Sequence, residues 1–141
     1  MPPATLYLAV NGTLMRGLAI NPNLLAVGAT FVCETTTEAA YRLWSIDDRY
    51  PAMQRVKQGG SAIALEVWRV PAAGLSTLLN QEPPGLCIGK VRLIDGETVL
   101  GILGEAIACE GQREITPWGG WRAYMAAKDQ PESQVPVLAP P

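Results

Sequence analysis

Not one of the 141 residues is histidine. That absence excludes Ser-His-Asp and Cys-His catalysis within the chain, and zinc held by histidine. Any proton transfer must use a carboxylate, a lysine, a tyrosine or a cysteine. Charge is scarce too, at 17% of residues with a net of −2, and no basic cluster exists. Nucleic acid as a partner loses its electrostatic basis. No apolar run reaches the roughly 20 residues of a membrane span, so no membrane partner is expected. No charged, then apolar, then small-residue leader opens the chain, which points to the cytoplasm. The three cysteines, Cys33, Cys87 and Cys109, are an odd number without short spacing, which argues against a disulfide framework. Each has apolar neighbours (FVCET, GLCIG, IACEG), so buried, reduced thiols are expected. Gly12 and Gly17 have the spacing of a Walker loop, but Leu18 stands where lysine is needed. No cofactor and no metal are expected.

What is present is a 48% apolar chain of a length that suits one domain with one core. Residues 4–10 (ATLYLAV) read as a strand apolar on both faces, hence central. "NPNLLAVG" reads as a short helix with Asn21 as cap, Pro22 in the first turn and Gly28 at its end. "ATFVCETTT" and "AAYRLWSI" are strand-like; Asp47-Asp48 breaks the second, and "RYPAM" reads as an irregular crossing. "SAIALEVWRV" is the clearest strand. "PAAGLSTLLNQ" carries Leu75, Leu78 and Leu79 at helical spacing and is stopped by Pro83-Pro84. "GLCIGKVRLI" and "ETVLGILG" flank Asp95-Gly96 as a hairpin, and a helix is expected from Gly120 onward. These elements define an α+β fold: a small, mostly antiparallel, partly open β-barrel with two or three short helices. Residues 1–127 form the single domain, and 128–141 read as a flexible Pro-rich tail.

Four places could carry chemistry. Asn11-Gly12-Thr13-Leu14 ends the first strand. It reads either as a plain turn or as a nest of peptide amides suited to a carboxylate, with Thr13 as an added donor and Gly12 free to take positive φ. Glu82 lies between a helix end and two prolines that have no N–H to offer. It is either an ordinary exposed glutamate or a general acid/base with a raised pKa. Glu66 interrupts an apolar strand and needs either a cavity or a buried partner, Arg42 or Arg122. "TPWGGWRAY" concentrates aromatics that cap the core or wall a pocket, and Arg122 could clamp a carboxylate.

Together these segments resemble a known family. "VNGTLM" resembles the Tyr-Gly-Ser-Leu loop of γ-glutamylcyclotransferase-like proteins, with Asn11 for Tyr and Thr13 for Ser. "RYPAM" resembles their Tyr-Pro-Ala segment, and "LEVWRV" their Gly-Glu-Val-Tyr-Glu-Val strand. "LLNQEPPG" resembles the segment of their catalytic glutamate, which falls on Glu82. A closer resemblance, over residues 5–126, is to the allophanate hydrolase C-terminal domain, a branch of the same fold. The resemblance implies one cavity, backbone donors from residues 11–14, Tyr50 in the wall and Glu82 moving a proton. In cyclotransferases that glutamate deprotonates a γ-glutamyl amine, which closes to 5-oxoproline. In allophanate hydrolase the amidase domain removes ammonia first, and the C-terminal domain then acts on the small carbamate. Asn11 in place of Tyr alters the pocket wall, and the 141 residues hold no amidase domain. Two functions follow as expectations. One is an acid/base enzyme acting on a small anionic amide or carbamate. The other is a non-catalytic module that docks on a separately encoded amidase.

Overall fold

The computed structural model describes residues 4–128. Eight strands form two sheets. The larger has the order β2 (Thr30–Thr36), β5 (Ala64–Pro71), β1 (Thr5–Val10), β7 (Thr98–Gly104), β6 (Leu86–Arg92). The smaller has the order β4 (Tyr50–Arg55), β3 (Tyr41–Ile46), β8 (Arg113–Glu114). β1 is central, as its two-faced apolar sequence requires: Leu8, Ala9 and Val10 are all buried. It runs antiparallel to β5, pairing Leu8 with Trp68 and Val10 with Glu66, and parallel to β7. All the other pairings are antiparallel.

The large sheet curls until its two edge strands meet at one end. Thr37 bridges Leu93, Ile94 N–H donates to Thr36 O at 3.0 Å, and Glu38 N–H donates to Arg92 O at 3.0 Å. The small sheet closes on β7, where a Cβ on Gly104 would lie 2.5 Å from Ala52 Cβ, so only glycine admits that approach. The result is a partly open barrel around Leu8, Val10, Tyr41, Leu43, Met53, Ile63 and Ile115. Four short helices decorate it: α1 (Asn21–Ala26), α2 (Leu75–Gln81), α3 (Ala106–Cys109) and α4 (Trp121–Lys128). Among the described residues no helix is long and apolar enough to cross a membrane.

Several expectations are corrected. "RYPAM" is no irregular crossing but the start of β4. Asp47 and Asp48 do end β3, but as a tight turn with φ of 53° and 56°, closed by Arg49 N–H on Ile46 O at 2.9 Å. Aspartate is among the few residues that tolerate this region. Pro51 fits because β4 is an edge strand. Asn21 does not cap α1: it is the first helical residue, and its Nδ2 donates to Leu14 O at 2.9 Å. Cys109 is buried, but Cys33 is exposed on the edge strand β2, where the register slips between Phe31 and Cys33. Lys128, assigned to the expected tail, is the last residue of α4; the rest of that segment, 129–141, lies outside the described residues.

The turn at Asp48 also anchors α4. Asp48 Oδ1 accepts Ser45 Oγ–H and Tyr124 Oη–H, both at 2.6 Å, and Lys128 Nζ lies 3.4 Å from Oδ2. The Ser45 hydroxyl, then that of Tyr124, holds this carboxyl below its usual range. A depressed pKa means that its stabilisation is present above the unfolded value of 3.8 and is lost on acidification below it. Asp48→Ala orphans the Tyr124 hydroxyl and puts a poorly suited residue at positive φ. We expect a loss of about 1–3 kcal/mol in urea denaturation at pH 7, against a much smaller loss for Asp48→Asn.

Candidate functional site

β1 ends at Val10, and the chain turns through residues 11–14. Three of its carbonyls are engaged inside the protein. Gly12 O accepts Met15 N–H at 3.0 Å, Thr13 O accepts Ile20 N–H at 3.0 Å, and Leu14 O accepts Asn21 Nδ2–H at 2.9 Å. Among the described residues, no acceptor serves the N–H groups of Gly12, Thr13 and Leu14. The same three residues line a cleft, and their three successive peptide donors have no partner within the described protein. Such donors favour an anion, since buried N–H groups without partners cost free energy.

The cup does not form as expected from sequence. Gly12 is not at positive φ. Its missing side chain instead makes room for Pro51, whose Cδ would lie 2.6 Å from an added Cβ. Gly12→Ala is expected to cost about 1–3 kcal/mol through overpacking and to displace the turn from β4, weakening whatever the cleft binds. Paired thermal melts of parent and variant, with and without a saturating small carboxylate, separate the two losses.

Glu82 lines the same cleft. Leu78 buries the inner face of α2, while Leu79 stays partly exposed. The helix stops at Glu82, whose backbone is extended (φ −79°, ψ 151°) and whose N–H donates to Leu79 O at 3.1 Å. No hydrogen bond reaches its carboxyl among the described residues, and burial alone pushes its pKa up to about 7. The Pro83-Pro84 pair, without N–H donors, leaves that effect uncompensated. Tyr50, Pro51, Leu86 and Ile102 complete the walls of a narrow cleft of about 20 Å³, space for about one water. Asn11, Gly12, Thr13, Leu14, Tyr50 and Glu82 are thus brought together.

Arg122 is not. It clamps a carboxylate, but the protein's own: its Nη2 donates to Glu66 Oε2 at 3.2 Å and to Arg16 O at 2.6 Å. Glu66 also accepts Arg16 N–H at 2.9 Å, Arg16 Nε–H at 3.1 Å and Trp68 Nε1–H at 3.1 Å. Burial pushes this carboxyl up, yet the Arg16 amide, the Trp68 indole and the two guanidinium groups together hold it below the usual range. Arg42, the other expected partner, pairs with Glu114 instead. Arg16 was missed, although it is the only cation before Arg42 in the sequence. Pro51 was missed as a cleft residue because its proline hid the strand that carries it. The aromatic cluster does both things expected of it: Trp121 and Tyr124 cap the core, Trp118 packs edge-on against Tyr124, and Trp118 and Trp121 with Arg122 also wall a second pocket of about 450 Å³.

The fold is shared with a solved γ-glutamyl cyclotransferase at 14% identity, with a TM-score of 0.53 over 89% of this chain and 80% of that one. Residues 6–126 match the allophanate hydrolase C-terminal domain, and the chain belongs to that family. A protein specific to uropathogenic E. coli is 54% identical, with a TM-score of 0.86 over 87% of this chain and 97% of that one. Allophanate hydrolase of Kluyveromyces lactis is 30% identical, with a TM-score of 0.84 over 89% of this chain but only 22% of that one. Urea amidolyase of Saccharomyces cerevisiae is 34% identical over 140 residues, taking in 94% of this chain. The chain spans only 8% of that curated relative's length.

Proposed function

We propose that the cleft binds a small metabolite bearing a carboxylate and an amide or carbamate nitrogen, and that Glu82 transfers a proton on it. What supports this most is the set of three unpartnered amides, Gly12 to Leu14, sharing one small cleft with a carboxyl poised near neutral pH. The anionic end sits on the amides, with the Thr13 hydroxyl as a further donor. Tyr50 walls the ligand from β4. Near pH 7 both forms of Glu82 are populated, the condition in which a carboxyl serves as either acid or base. Such catalysis contributes roughly 10²–10⁴-fold, and holding the ligand against fixed amides adds to it. Arg122 has no part in this step; its charge is spent on Glu66.

The test is turnover of γ-glutamyl dipeptides and of small carboxylated ureas, read as 5-oxoproline, carbon dioxide or ammonia released. The parent should act on one class, and a folded Glu82→Gln should lose at least 10²-fold. Full activity in Glu82→Gln ends the mechanism. A second reading is a non-catalytic module that docks on an amidase, supported by the urea amidolyase and allophanate hydrolase in which a similar domain sits. Stoichiometric co-purification with an amidase, together with an unliganded cleft, would support it.

A further inference from the structure

We infer that Asn11 reads an N–H group on the ligand, so that the cleft selects anions carrying an amide-type nitrogen over carboxylates of the same shape that lack one. This rests on the cleft being a small-anion site, as proposed above. Asn11 follows β1 directly and is 3% exposed. Its Nδ2 donates to Ile102 O at 3.0 Å and lies 3.8 Å from Met53 Sδ. Both amide hydrogens are therefore directed at the protein, which fixes the orientation of the side chain: exchanging O and N would set its oxygen against the Ile102 carbonyl.

The other end of this amide is left over. Among the described residues no donor reaches Asn11 Oδ1, and Trp118 Nε1 is the only side-chain polar atom both sealed and unpaired. Asn11 Oδ1 therefore keeps an opening, and the space that Asn11 lines is the cleft. The cleft thus offers three peptide donors from Gly12 to Leu14 and one fixed side-chain acceptor beside them. A carboxylate satisfies the donors and gives nothing to the acceptor. A carboxylate joined to a CONH₂ or CONHR group satisfies both. A built-in acceptor that a ligand leaves dry discriminates strongly, because its water is removed without replacement. Backbone donors alone would accept either ligand.

Isosteric monoanions provide the probe: oxamate against pyruvate, and malonamate against acetoacetate. Within each pair NH₂ replaces CH₃ and the carboxylate is unchanged. Titration of the ¹⁵N-labelled protein at pH 6 yields affinities from the amide signals of Gly12, Thr13 and Leu14. The amide member of each pair is expected to bind at least tenfold tighter. Asn11→Leu, of similar volume, should bring the two members within twofold while the anion still binds. If both members bind the parent equally, the role of Asn11 is overturned and the anion site stands. If discrimination persists in Asn11→Leu, another acceptor is responsible and the inference is again overturned. If no member moves those three signals in the parent, the anion reading itself fails, and this inference with it. If Asn11→Leu does not fold, Asn11→Ala, which also removes the acceptor, takes its place, with loss of discrimination again expected and persistence again overturning the inference.

Discussion

Glu82→Gln is expected to melt at a higher temperature than the parent above pH 7, and at nearly the same temperature at pH 4. The reason is the site's own cost. The folded state holds the Glu82 proton up to about pH 7, whereas the unfolded chain releases it near 4.5. Between those values the folded protein binds more protons, so stability falls as pH rises. A raised carboxyl is thus the inverse of the usual acidic group: its favourable contribution is complete below 4.5 and gone once pH has passed 7. The shift corresponds to roughly 3 kcal/mol, and solvent screening at this partly exposed position reduces that to about 2 kcal/mol. For a domain of this size the gain is roughly 5–10 °C in melting temperature at pH 8.5. Glutamine has the shape of the protonated carboxyl and cannot ionise, so the two melting curves should separate between pH 4.5 and 7. Parallel melts across that range check it, and curves that stay together mean that Glu82 is well solvated. A variant that gains stability as it loses turnover is the trade expected of a strained functional group.

Glu66→Ala has the opposite character. This side chain is 1% exposed and collects four donors from Arg16, Trp68 and Arg122. Its removal leaves the Trp68 indole and the Arg16 amide without an acceptor and two guanidinium groups without their shared counter-charge. The two guanidinium groups stay nearly half exposed, so the loss comes mainly from the orphaned buried indole and amide, about 1–3 kcal/mol, still a sizeable share of the 5–15 kcal/mol typical of a domain. The midpoint of urea unfolding should fall accordingly, with little change in slope. Because the Glu66 pKa is depressed, its stabilisation holds above the unfolded value of 4.5 and disappears as pH falls below it. Glu66 and Asp48 therefore limit stability on the acid side, and Glu82 limits it on the neutral and alkaline side. A Glu66→Ala protein as stable as the parent would show that the Arg16–Arg122 cluster contributes nothing net.

Legibility in the sequence followed the range of the physics involved. β1, β5, the β6–β7 hairpin and α2 carry their own periodicity and turn residues, and all appear where the pattern puts them. β8 has two residues and α3 has four, too short for any period to register. β4 was masked by Pro51, although an edge strand accepts proline. The same error hid the contact that explains Gly12: conformational freedom was the local reading, and a proline ring arriving from 39 positions further on was the cause. Glu82 could be read because its isolation is local, written in the two prolines that follow it. The partners of Glu66 could not be, since Arg16 and Arg122 reach it only through the fold. Arg122 illustrates the limit of motif reasoning: guanidinium chemistry was rightly assigned, but a carboxylate of the protein had already taken it.

The measurement that bears most directly on the cleft is the ¹³C carboxyl titration of Glu82, followed by NMR with and without oxamate. The free protein should titrate near pH 7, and bound oxamate should move the midpoint higher, because an anion held on the Gly12–Leu14 amides opposes a second negative charge beside it. A midpoint near 4.5 that ignores oxamate would mean that Glu82 faces water and the amide cup faces something else.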